Sequence, residues 1–162
     1  MKKKNSTAQR KKVKFDNKHL NDPKIKKVYL TFKKQLYSQI KNEKFCIGVS
    51  GGPDSLALAF LCKIFSKEFN SKFIALIIDH NLRKESGIEA RKVKKILIKH
   101  KIRVKILTWK GKIPKSNIQF NARNIRYFLL NNECNKLNIK NLVLAHHESD
   151  LIENFFIRLF RG

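Results

Sequence analysis

Acidic residues are scarce in this chain. Twelve Asp and Glu stand against 37 Lys and Arg among 162 residues, giving a formal net charge of +25. That imbalance excludes an acidic or charge-neutral surface and suggests a polyanionic partner, most simply nucleic acid. Lysine far outnumbers arginine, and Asn, Ile and Phe are plentiful, so AT-rich coding is a competing source of part of the charge; clustering on one face would decide. Cysteine is equally sparse: Cys46, Cys62 and Cys134 lie far apart in apolar runs, without the CxxC spacing of a zinc, cluster or disulfide framework. They read as buried reduced thiols, as expected of a cytoplasmic protein. No apolar run approaches the roughly 20 residues that span a bilayer, and no signal-peptide h-region opens the chain. A 42% hydrophobic content argues against general disorder, and the length suits one domain.

What is present centres on Phe45 to Ser55, FCIGVSGGPDS, followed by LALAFLCKIF. The first half alternates like a buried strand, and Leu56, Phe60 and Ile64 recur at helical spacing, so the glycines occupy a strand-to-helix turn. Gly51 and Gly52 tolerate positive φ and close approach, Pro53 suits a first helical turn, and backbone N–H groups at a helix start favour an anion. Ser50 and Ser55 add hydroxyls. Neither a Walker loop nor a GxGxxG turn is present. Asp54 is suited either to a hard divalent cation at a phosphate or to complementing the positive end of its helix.

Residues 1–21 are polar and lysine-rich and read as a basic flexible tail; residues 22–162 form the domain. From Pro23, Val28, Phe32, Leu36 and Ile40 mark one helix face. Residues 72–78 form a second strand, ending on Asp79-His80-Asn81-Leu82-Arg83; polar groups at such strand ends line ligand crevices. Ser86 and Glu89 fit a capping box for a helix with Ala90, Val93, Leu97 and Ile98 inward. Residues 102–107 make a short strand at or near the sheet edge. Trp109 begins a basic loop that either stacks a base or packs beneath the loop. Asn117 is suited to capping a helix with Ile118, Ala122, Ile125 and Leu129 on one stripe, and its Arg123 and Arg126 lie close to one face. Residues 141–145 form the fourth strand, ending on His146-His147, and Asp150 and Glu153 lie near each other in a helix that follows. Adjacent histidines with no third ligand argue against zinc. The alternation describes an α/β domain with a mainly parallel sheet and flanking helices.

SGGPDS at 50–55 resembles the PP-loop signature of ATP pyrophosphatases. With DHNLR at 79–83, NIQFNARNIRY at 117–127 and AHHESDLIENFFIRLFRG at 145–162, the chain resembles the N-terminal catalytic domain of the tRNA(Ile)-lysidine synthetase family. Ser149 and Asn154 depart from the usual Asp and Thr of that family, while Asp150 and Glu153 are kept. The resemblance implies a Rossmann-type PP-loop fold, truncated here at its C-terminal end, and ligation of free L-lysine to C2 of the wobble cytidine of tRNA(Ile) with a CAU anticodon. ATP and Mg²⁺ are the implied cofactors, and the implied route passes through an adenylated tRNA. It assigns Ser50 to Ser55 to the phosphates, Asp54 to Mg²⁺, Asp79 and His80 to the neighbourhood of the nucleotide, and Arg123 to phosphate or oxyanion. Asp150 and Glu153 would receive the lysine cation or share the metal, and His146 or His147 would accept a proton. Further C-terminal domains or a homodimer would complete the enzyme, with no membrane partner. A tRNA 2-thiolation enzyme and a noncatalytic RNA-binding remnant are the alternatives.

Overall fold

A computed structural model describes residues 20–83, 85–112 and 116–145. In chain order they form α1 (Pro23–Ile40), β1 (Phe45–Val49), α2 (Pro53–Glu68), β2 (Phe73–Asp79), α3 (Ser86–Lys99), β3 (Val104–Thr108), α4 (Ile118–Lys136) and β4 (Asn141–Leu144). The four strands are parallel in the order β3-β2-β1-β4, with Phe45 opposite both Phe73 and Asn141.

The two-residue period of a strand explains the layers. Phe45, Ile47 and Val49 of β1 and Ala75 and Ile77 of β2 face a cluster built with α1, α2 and α3. Cys46, Ile74 and Leu76 face the opposite cluster, which α4 closes with Leu130 and Cys134. Both faces are covered, so β1 and β2 read as unbroken apolar runs. β3 ends the sheet on one side among the described residues, and its Lys105 and Thr108 are exposed, as its alternation with basic residues predicts. All three cysteines are free and buried. Burial chiefly, then the Cys134 contact, pushes the Cys46 thiol up to about 12.

Three expected helix faces are corrected. Val28 is 58% exposed and Tyr29 is buried with Leu36 and Ile40, because a strict four-residue repeat drifts by about 40° per step around a 3.6-residue helix. Ile98 and Ile118 are likewise exposed, each about 53%, while Ala90 and Leu97 of α3 and Ile125 and Leu130 of α4 are buried. Neighbours such as Leu97 and Ile98 lie about 100° apart around a helix and do not share one buried face.

Two expected caps also change. Asn117 precedes α4 in a left-handed conformation and makes no side-chain cap bond; its carbonyl accepts the Asn121 amide instead. Ser86 is the first residue of α3, with Glu85 in the cap position. The Ser86 hydroxyl donates to Asp79 Oδ1 at 2.7 Å, the stronger acceptor of the two within reach, with the Arg83 carbonyl oxygen 2.9 Å from the same Oγ.

Strand order positions the site. From β1 the chain winds through α2 and α3 to β3, then α4 carries it back across the other face to β4, on the far side of β1. The crossover after β1 leads to β2 on one side of it and the crossover after β3 leads to β4 on the other, so a crevice opens at the carboxyl ends of β1 and β4.

Candidate functional site

A cavity of about 320 Å³ occupies that crevice, between the carboxyl ends of β1, β2 and β4 and the flanking α3 and α4. Its wall toward β1 is formed by Val49, Ser50 and Ser55, at the turn that contains Gly51. Gly51 adopts φ +96°, and a Cβ there would stand 2.5 Å from Val93 Cγ2, so glycine is required twice over. Ser55, buried at the start of α2, ties the turn together. Its Oγ accepts the Gly51 amide at 3.1 Å and the Ser50 hydroxyl at 3.2 Å, and donates to the Gly52 carbonyl at 2.9 Å. The Ser55 hydroxyl and the Gly51 amide are therefore engaged in shaping the turn, where the sequence reading offered both as donors. Gly52 is the N-cap of α2 in extended conformation, Pro53 follows, and Asp54 sits in the first turn, exposed beside the loop.

The floor is apolar. Leu130 of α4 and Leu144 of β4 line it, and both close over Gly48, where a Cβ would lie 2.4 Å from Leu144 Cδ2. A small, flat apolar floor next to a polar turn suits a ligand with a ring at one end and anionic groups at the other.

The β2 end supplies the opposite wall. Asp79 is 7% exposed, and its Oδ1 accepts the Asn81 amide at 3.0 Å as well as the Ser86 hydroxyl. It thereby holds the loop that carries His80, Leu82 and Arg83 to the cavity; those three line it. Asp79 positions this wall from behind. Arg83 Nη2 grips both carboxylate oxygens of Glu89, at 3.2 and 2.8 Å, and both residues line the cavity.

His80 Nδ1 is buried and finds no hydrogen-bond partner among the described residues. Burial first, then the Arg126 charge, lowers the imidazole below its ordinary pKa of 6.5, against an opposing pull from Asp79. A depressed folded value means that the unfolded chain binds more protons between that value and 6.5. The stability contribution is complete above 6.5 and is lost as pH falls through the lower value. Melting temperatures between pH 5 and 7.5 are expected to decline toward the acid side more steeply for the native chain than for His80→Gln. Equal slopes would refute this reading.

Of the two arginines on α4, Arg126 lines the cavity. Arg123 lies over the Tyr127 ring, 5.7 Å from its centroid, with Nη2 3.5 Å from the Tyr127 hydroxyl. Trp109 takes the structural of its two readings: its indole N–H donates to the Lys112 carbonyl at 3.2 Å and its ring meets Phe128 edge-on. His146, His147, Asp150 and Glu153 lie outside the described residues. No cluster of three or more His, Cys, Asp or Glu suited to a metal occurs among the described residues. A magnesium ion held by one carboxylate together with phosphate oxygens needs no such cluster.

The PP-loop domain family matches residues 24–162. The chain belongs to the PP-loop domain family. Membership implies ATP as the nucleotide bound. Over 122 residues the chain is 45% identical to the tRNA(Ile)-lysidine synthase of Orientia tsutsugamushi (strain Boryong), covering 75% of this chain and 28% of that protein. It is 40% identical to that of Bartonella quintana over 124 residues, covering 75% and 26%, and 41% identical to that of Rickettsia bellii over 118 residues, covering 73% and 27%. The chain thus spans just over a quarter of the length of these relatives.

Among solved structures, the U34-tRNA thiolase NcsA from Methanococcus maripaludis superposes with a TM-score of 0.68 at 21% identity, covering 85% of this chain and 52% of that one. An NH3-dependent NAD synthetase from Campylobacter jejuni gives 0.52 at 19%, covering 79% and 58%. These two show the shared PP-loop fold. Among the described residues no helix is long and apolar enough to cross a membrane.

Proposed function

We propose that this PP-loop domain carries the nucleotide site of a tRNA(Ile)-lysidine synthase, which joins free L-lysine to C2 of the wobble cytidine of tRNA(Ile) bearing a CAU anticodon. The observation that carries the reading is the Gly51 turn, braced by Ser55 at the strand-order crevice, in a chain 45% identical to a lysidine synthase.

ATP supplies the leaving groups: the cytidine O2 attacks its α-phosphorus and pyrophosphate departs, then the lysine ε-amine attacks C2 and AMP departs. No nucleophile from the protein is needed, so the side chains act by positioning and charge control. The Ser50–Ser55 turn and the start of α2 hold phosphate, and Asp54 holds Mg²⁺. Leu130 and Leu144 accept the base. Arg126 faces the cavity and offsets negative charge there, a role for which Arg123 is held second, against Tyr127. His80 stays neutral and offers Nδ1 to a polar group of the nucleotide, with Asp79 fixing the loop behind it. Asp150 and Glu153 receive the lysine ammonium or share the metal, and His146 or His147 takes the proton released by the attacking amine.

A thiolation reading finds no ligand set, because Cys46, Cys62 and Cys134 are all buried, in keeping with raised, unreactive thiols. The deciding assay combines the chain with ATP, Mg²⁺, labelled lysine and tRNA(Ile) with a CAU anticodon. Expected are tRNA-dependent AMP release and lysine incorporation, both lost on Asp54→Ala. RNA binding without AMP release would support a noncatalytic protein, and incorporation of sulfur would support a thiolase.

A further inference from the structure

The nucleotide cavity sits at the carboxyl ends of the strands, and the opposite pole of the sheet is a line of cations. Lys44, Lys72 and Lys140 each stand one residue before the first paired residue of β1, β2 and β4. In sheet order they follow one another as Lys72, Lys44 and Lys140, one strand spacing of about 4.8 Å apart along the backbone. Lys101 and Arg103 continue the line where the chain enters β3. All five are exposed.

Helix polarity accounts for Lys67, Lys99 and Lys136 in the last turns of α2, α3 and α4 at the same pole. It does not account for the residues preceding the strands. Nor, among the described residues, does any carboxylate form an ion pair with them. Glu68 is taken by Tyr29 and Lys33, Glu43 accepts the Asn141 amide group at 2.9 Å, and Glu133 pairs with Lys105 at 2.7 Å. Crowding is evident at Lys63, whose ammonium donates to the Lys101 carbonyl at 2.7 Å; burial and then the charges of Lys67 and Lys101 lower its pKa. Like charges in adjacent strands destabilise a sheet, and a linear polyanion lying along the row relieves that repulsion.

We infer that this pole, about 17 Å of strand away from the cavity, is a second RNA contact that tracks one stretch of phosphate backbone without reading bases. A line of lysines suits a linear phosphate chain, which single ammonium groups contact as point charges. The choice of tRNA as ligand rests on the proposed function; the charge line does not.

The experiment measures binding of tRNA(Ile) transcript to the full chain across a salt series, with ATP affinity as the readout of an intact fold. The variant Lys44→Gln/Lys72→Gln/Lys101→Gln/Lys140→Gln is expected to bind RNA at least about tenfold more weakly near 0.1 M salt. Its log–log salt slope should fall by roughly 3, from four lost contacts at about 0.7 to 0.9 each. The matching Lys→Arg set should retain affinity. If the quadruple variant loses ATP binding, Lys44→Gln/Lys72→Gln decides, with an expected slope change of about half. Unchanged RNA affinity overturns the inference, as does equal loss in the Arg set. So does a loss confined to phosphatidylglycerol vesicles, which would mark the pole as a membrane contact. A native chain that makes no AMP while these RNA shifts persist would sink the ligase reading and leave the second contact standing.

Discussion

Gly51→Ala is expected to weaken ATP binding by about a hundredfold, the cost that a displacement of about 1 Å imposes on a positioned site. Its φ of +96° is closed to a side chain, and the new methyl group would lie 2.5 Å from Val93 Cγ2. Either the turn changes conformation, breaking the Gly51 amide bond to Ser55, or α3 moves away from the crevice. Stability should fall by about 2 kcal/mol from the backbone alone. Gly52→Ala is the contrast. Gly52 has φ −70°, and a Cβ there meets only Ser50 Oγ, at 3.8 Å; its stability change should stay within about 1 kcal/mol, a typical N-cap effect. Isothermal titration with ATP and urea unfolding test the pair. If the two alanine variants bind ATP alike, the turn does not grip the nucleotide.

Phe65→Ala is expected to produce a large stability loss, about 3 to 5 kcal/mol, while leaving ATP affinity intact at low temperature. Phe65 is fully buried, meets Phe45 edge-on with centroids 6.2 Å apart and touches Phe69 at 4.6 Å. It sits twelve residues beyond Pro53 on α2, about 18 Å from the loop. The loss is a large share of a domain's usual 5 to 15 kcal/mol. Urea midpoints measure it, and a change below about 1 kcal/mol would show that the core relaxes around the missing ring. Retained ATP affinity would separate what holds the fold from what holds the ligand.

Much of the fold was legible because its signals are local. The apolar runs of β1 and β2, the Gly-Gly-Pro break and the weak alternation of β3 each report on a few neighbouring residues, and the structure places a parallel sheet, a strand-to-helix turn and an edge strand there. Of the residues singled out in sequence, Ser50, Ser55 and His80 line the cavity, and the direction in which a side chain points is harder to read. Ser55 and Asp79 turn to partners inside the fold, and no spacing rule shows that a hydroxyl or carboxylate has already found one. Arg123 and Arg126 read alike in sequence. Tyr127, next to one and four residues from the other, draws Arg123 onto its ring, leaving Arg126 to the cavity. The row of lysines escaped notice because residues 44, 72 and 140 become neighbours only when strand order and register are known.

The Ser55 knot bears on the energetics of nucleotide capture. A bend whose shape is dictated by its own serine is rigid before any phosphate arrives, so association forfeits little conformational freedom. Ser55→Ala should convert a preformed receptacle into one that must be moulded on arrival, with a slower association rate and a more negative binding entropy.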